Sequence, residues 1–268
     1  GFYLSNCPNF QQWEDFSGIP ELQNLILSHI GQLNNLTNLG DLPFLRYFSI
    51  QDCPGLSTFA GHGNLELLET LRIGNCDLLS SFSGLGELPN LLVLYLDGND
   101  EIQSINDLPS LPSLEEFRIT FSSSLSSLTQ LSSYPTLENL TVYECSSLVN
   151  FEGAGSLPNL KDLNVQHNFQ LANFEGLTIP ADMNYVYVNS NSSLVSFLGF
   201  EGMNTCEKVH IQDNNSLSDF SGLENLEEIG QGLYITGNEA LDTCVAEDFA
   251  ASLDIEGQLL ISENGPCE

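Results

Sequence analysis

Apolar and polar positions alternate in short bursts along this chain, and the bursts recur. In LRIGNCDLLSSFSGLGELPN, from Leu71 to Asn90, Leu71 and Ile73 flank Arg72. That period of two predicts a short strand with Leu71 and Ile73 in the core and Arg72 facing water. A residue three places beyond Ile73 anchors the turn that follows. The same anchor position is held by Cys7, Ile30, Cys53, Cys76, Asn99, Ser122, Cys145, Asn168, Asn191 and Asn214, each 23 residues after the last, and then by Asn238 and Asn264. A fixed period of this length predicts coils stacked one on another, with the strands in parallel on one side.

Each further column has a physical role. Three residues past the anchor comes an apolar column, Phe10, Leu33, Leu56, Leu79, Ile102, Leu125, Leu148, Leu171, Leu194, Leu217 and Leu241. Three beyond that is an aromatic spine of Trp13, Phe59, Phe82, Phe151, Phe174, Phe197 and Phe220, whose rings gain burial and offset stacking together. Glycines such as Gly84, Gly176 and Gly222 let the chain turn back, and prolines such as Pro20, Pro89 and Pro158 stiffen the return. An asparagine at the anchor can both donate and accept hydrogen bonds to turn backbone that would otherwise be buried unpaired, and a cysteine thiol fills the slot more weakly.

The whole pattern, L-x-x-L-x-[LIV]-x-x-[NC]-x-x-L-x-x-F-x-G-L, resembles the leucine-rich-repeat superfamily over essentially the entire chain. Coils such as LRYFSIQDCPGLSTF (45–59) resemble the irregular repeats of plant immune receptors. GLENLEEIGQGLYITGNEAL (222–241) is similar to receptor L domains and to secreted or surface bacterial leucine-rich proteins. The resemblance implies an α/β-type repeat solenoid, mostly strand and irregular structure, with a concave parallel sheet of about twelve short strands and few or no true helices on the convex side. One domain is expected over residues 1–268, with regular coils to about 222 and longer coils and a cap over 223–268.

Composition narrows the partners. Asp and Glu number 36 against five Lys and Arg, a formal net charge of −31. Nucleic acid, which is held by clusters of Lys and Arg, is excluded as a partner, and anionic membrane surfaces are disfavoured for the same reason. No apolar run approaches the roughly 20 residues that span a bilayer. The chain opens at GFYLSNC, almost on its first strand, and the expectation is a piece of a larger parent chain.

Of the seven cysteines, Cys7, Cys53, Cys76 and Cys145 are anchor substitutes and Cys206 sits in an apolar column, so these five are expected as thiols. Cys244, placed by the count at the spine position of the eleventh coil, and Cys267, in the apolar column of the twelfth, are expected to form a terminal disulfide. Such a bond would persist outside the cell, so an extracellular or cell-surface location is expected.

The outward strand column runs Tyr3, Ile26, Ser49, Arg72, Tyr95, Arg118, Thr141, Asn164, Tyr187, His210, Tyr234 and Leu260, and all five basic residues lie on or just before strands. Tyrosine and arginine carry much of the energy of protein interfaces, because each joins contact area to a directional polar group. The expected partner surface is therefore Tyr47, Arg72, Tyr95, Asp97, Arg118, Phe121, Tyr143, Glu144, His167, Tyr185, Tyr187 and His210. The alternative is that aromatic side chains merely cover the sheet.

No catalytic residue is expected. His29 stacks on Asp52 and Ser28 adjoins His29, but no oxyanion donor or glycine-rich nucleophile turn accompanies them. No cofactor is expected either. Calcium remains a lesser reading for Asp41, Glu87 and Asp107 in the return loops, which lack the D-x-D-x-D spacing of a calcium loop. The reading is a non-catalytic, secreted or surface module that binds a protein through the strand face. Its rivals are a glycan-binding adhesin and the sensing repeats of an intracellular immune receptor.

Overall fold

The computed structural model describes residues 1–10, 19, 21–37 and 39–267; Trp13 and Pro20 of the sequence columns lie outside these. The chain divides into two compact units, residues 1–125 with 133–137, and residues 126–132 with 138–268.

In unit 1 the outward alternation gives strands β1 (Phe2–Ser5), β2 (Asn24–Ser28), β3 (Tyr47–Gln51), β4 (Thr70–Gly74), β5 (Val93–Asp97) and β6 (Glu116–Thr120). They pair in parallel and in sequence order, so that Tyr3 lies beside Ile26, Ser49 beside Arg72, and Arg72 beside Tyr95. Beneath them Leu25, Leu27, Ile50, Leu71, Ile73, Leu94, Leu96 and Phe117 are fully buried, as the period of two requires. The spine rings Phe59 and Phe82 stack with centroids 6.4 Å apart.

Unit 2 repeats the plan with β7 (Asn139–Tyr143), β9 (Asp162–Gln166), β11 (Asp182–Asn189), β12 (Thr205–Gln212) and β13 (Glu228–Thr236), again parallel and in order. Two strands finish it, β14 (Asp254–Ile255) and β15 (Gln258–Ser262), both paired with β13. Behind the sheet, β8 (Gly155–Ser156) and β10 (Leu177–Thr178) form a second small ladder. Phe151, Phe174 and Phe197 stack at 5.6 and 5.8 Å. The turn beyond the spine is tight: Gly222 sits at φ +100, where a Cβ would meet the Phe197 carbonyl oxygen at 2.0 Å.

One α-helix is present among the described residues, α1 (Thr243–Ala251). Asp242 caps it by accepting the Cys244 N–H at 2.7 Å, and its inner face buries Ala246 and Ala250. This helix corrects the sequence reading of the eleventh coil. Phe249, not Cys244, continues the spine, with its ring stacked 3.9 Å from Phe220. Cys244 and Cys267 lie at the surface rather than in interior columns, and they are joined by a disulfide with Cα atoms 5.3 Å apart. The helix lengthens the coil, so counting six residues from the anchor Asn238 lands on the wrong side chain.

No described helix is long and apolar enough to cross a membrane.

Candidate binding surface

The outward strand positions hold side chains that touch along the columns, and each unit has its own cluster. In unit 1 the Arg72 guanidinium lies 4.5 Å from the centre of the Tyr95 ring and 6.0 Å from that of Tyr47. These are cation–π distances, and the register of β3, β4 and β5 produces them by placing the three residues in adjacent coils. Tyr95 donates its hydroxyl to Glu116 at 2.5 Å. Desolvation, then that carboxylate, raise the tyrosine above its ordinary pKa, against the opposing pull of Arg72 and Arg118. Arg118 reaches Asp97 at 3.8 Å, and Asp97 also accepts from Thr120 at 2.5 Å.

In unit 2 the rings of Tyr187, His210 and Tyr234 form a continuous column. His210 lies 4.9 Å from Tyr187 and 4.3 Å from Tyr234, nearly parallel to the latter. Tyr187 donates to Gln212 at 3.2 Å and Tyr234 to Gln258 at 3.0 Å, which fixes both phenols. The Lys208 ammonium stands 5.2 Å over the Tyr234 ring. Desolvation first, and the Lys208 charge second, lower the His210 pKa below the ordinary 6.5, so the imidazole is neutral at pH 7. Its Nδ1 is buried with no hydrogen-bond partner. Tyr185, 44% exposed, lies in register with Lys208.

The expected flank of Phe121, Glu144 and His167 has a backbone origin. All three follow the last strand residue and adopt left-handed φ values of +51, +52 and +55. The same conformation recurs at His29, Asp52, Asn75, Ser190, Asp213 and Glu263, so it belongs to the turn that each anchor terminates. Phe121 is 48% exposed on unit 1. His167 packs edge-on against Tyr143 at 5.1 Å, and Glu144 raises the Tyr143 pKa chiefly through a side-chain hydrogen bond. Phe121, Glu144 and His167 therefore form a rim of turn residues beyond the ends of the strands rather than part of the sheet. Tyr234 and Lys208, outside the expected set, lie on the strand face as the repeat count places them.

Two grooves border the unit 2 column. One, of about 490 Å³ at the strand ends, is lined by His167, Phe169, Ser190, Ser192, Asp213, Asn215, Gly237, Glu239 and Glu263. The other, of about 220 Å³ at the strand starts, is lined by Asp182, Met183, Asn184, Thr205, Cys206, Glu207, Glu228 and Gly230.

Ser28, His29 and Asp52 stand in line, with Ser28 Oγ 2.6 Å from His29 Nδ1 and His29 Nε2 3.4 Å from Asp52. The line resembles a proton relay, but Ser28 is only 7% exposed. The His29 and Asp52 N–H groups, which would have to supply an oxyanion site, donate instead to Gln51 and Gly74 of the ladder. Of the loop carboxylates considered for calcium, Asp41 accepts the Asn64 N–H at 2.9 Å and Asp107 accepts the Phe82 N–H at 2.8 Å, so both tie one coil to a neighbour. Among the described residues, three potential metal ligands converge at Asp242, Cys244 and Cys267, where both sulfurs are committed to the disulfide.

No protein-family model and no curated protein sequence matches the chain. Among solved structures it is similar to the leucine-rich repeat domain of the type III effector XopL, at 21% identity and a TM-score of 0.55, covering 97% of this chain and 75% of that one. Coils in 23-residue register, a parallel strand face, the buried leucine columns and this likeness together show that the chain has the leucine-rich-repeat fold.

Proposed function

We propose that this chain is a non-catalytic recognition module that binds a protein through the outward face of its strands. The observation that carries the reading is the placement of tyrosine and arginine side chains in contact and partly exposed, Arg72 between Tyr95 of its own column and Tyr47 of the flanking one in unit 1, and the column Tyr187–His210–Tyr234 in unit 2. Such rings are pre-positioned by their neighbours, so little side-chain entropy is lost on binding. The exposed disulfide supports a secreted or cell-surface setting.

Site-specific photo-crosslinking tests the reading. A benzophenone side chain at Tyr95 or Tyr187 is expected to capture a protein, whereas the same probe at Val149 or Val195, exposed but away from the strands, is not. Capture confined to Val149 and Val195 would overturn it. A second reading, glycan adhesion, is favoured by one observation, the partly exposed aromatic column Tyr187–His210–Tyr234. A glycan array on the intact chain separates the two.

A further inference from the structure

Unit 2 holds 21 Asp and Glu against Lys161 and Lys208 alone. Lys161 is already paired with Glu138 at 2.7 Å. The carboxylates are not scattered at random around its aromatic column. Asp182, Glu207 and Glu228 line the groove on one side, and Asp213, Glu239 and Glu263 line the groove on the other. Two on the first side have neutral partners, Thr205 for Asp182 at 2.8 Å and Gln231 for Glu207 at 3.0 Å, so their negative charge stands uncompensated.

Unit 1 shows what such a face accepts. There the chain places its own guanidinium, Arg72, against Tyr47 and Tyr95. In unit 2 the equivalent middle position is His210, whose pKa burial and Lys208 lower and which packs against the tyrosine on either side, while Lys208 takes the cation position over Tyr234.

We propose that the strand face of unit 2 is a docking strip for an extended, Arg- and Lys-bearing segment of a partner protein, its backbone running along the Tyr187–His210–Tyr234 column and its cations lying against the carboxylates of the two bordering grooves. The inference rests on the reading of the strand face as a recognition surface and adds the chemistry of the occupant. Charge complementarity argues for it, and the Lys208 ammonium over Tyr234 is an example within the chain of a cation held at this column. Spacing adds a constraint. Adjacent coils are about 4.8 Å apart and an extended peptide rises about 3.3 Å per residue, so three residues match the two coils from Tyr187 to Tyr234. Basic residues in the bound segment therefore recur every third position.

The test is a selection of random ten-residue peptides displayed against the intact chain in physiological salt, counter-selected on a Tyr187→Ser, Tyr234→Ser variant. Circular dichroism first establishes that the variant is folded; should it not be, Tyr187→Phe with Tyr234→Leu replaces it. The expected survivors are enriched in Arg and Lys at three-residue spacing, and a synthetic representative loses at least tenfold in affinity for the variant. Survivors without basic enrichment, or equal binding to both proteins, overturn the proposal. Binding of an uncharged glycan that depends on the two tyrosines, with no basic peptide selected, also overturns it. Photo-crosslinking from Tyr187 to a partner contacted through a neutral or acidic segment removes this inference and leaves the recognition reading standing, whereas loss of all strand-face crosslinks removes both.

Discussion

The turn after each strand is anchored differently in the two units. In unit 1 the anchors are Cys7, Ile30, Cys53, Cys76, Asn99 and Ser122; in unit 2 a single Cys145 is followed by Asn168, Asn191, Asn214, Asn238 and Asn264. Each unit 2 asparagine reaches across to the preceding coil twice. Asn214 accepts the Asn191 N–H at 3.0 Å and donates to the Val188 carbonyl at 3.0 Å. Asn168, Asn191 and Asn238 repeat both bonds, and Asn264 closes the series on Asn238 and Ile235. Among the described residues of unit 1 Asn99 alone does so, bonding Cys76 at 3.2 Å and Ile73 at 3.0 Å. The thiols of Cys53 and Cys76 donate within their own coil, to Gln51 and Gly74, and meet the preceding coil as weak sulfur acceptors, from the Ile30 and Cys53 backbone. Burial pushes the Cys76 thiol up to about 12, so it remains a protonated, weak partner. The difference teaches that the anchor column decides how firmly a coil is tied to the one before, because a carboxamide offers a strong acceptor and two donors where a thiol offers one weak donor and a weak acceptor.

Breaking the rung is expected to have the largest effect. Asn214→Ala leaves the Asn191 N–H and the Val188 carbonyl buried without partners, at about 1–3 kcal/mol each, so a loss of about 3–5 kcal/mol is expected in urea unfolding. Cys76→Ala removes only weak sulfur hydrogen bonds and should cost about 1 kcal/mol. Equal losses would show that the asparagine rungs do not distinguish the units.

Closure of the unit 2 end comes next. The Cys244–Cys267 bond spans 23 residues, and removing it by a double Cys→Ser substitution is expected to cost roughly 3 kcal/mol through the entropy of the unfolded chain. The loss should appear in the melting of α1 and β15 and leave unit 1 strands unaffected.

The smallest effect is acid sensitivity. His210, flanked by Tyr187, Tyr234 and Lys208, has its folded pKa lowered, so the folded state binds fewer protons than the unfolded one. Its contribution is complete above about pH 6.5 and is lost as pH falls through the folded value. His210→Phe should flatten that part of the stability profile, and an unchanged slope would contradict the assignment.

Much of this comparison is legible in the sequence. The anchors, leucine columns and outward strand residues all follow from a 23-residue count, because identical coils must repeat their core to stack. What the count misses arises where coils differ or where backbone conformation intervenes. The helix over Thr243–Ala251 lengthens one coil and hands the spine to Phe249. The left-handed turn at Phe121, Glu144 and His167 is a property of φ rather than of residue type. The stacking of His210 between two tyrosines depends on a 24-residue step between β12 and β13, where the register shifts between Cys206 and Lys208. An exposed column states which side chains are neighbours, but not which of them touch.

The central claim is that asparagine rungs make unit 2 a stiff platform for its aromatic column. Native-state hydrogen exchange tests it most directly, because it reads the opening of individual coils. The amides of Asn191 and Asn214 are expected to exchange at least about tenfold more slowly than those of Ile30 and Cys53, relative to their unfolded rates. Equal or faster exchange at Asn191 and Asn214 would contradict the account.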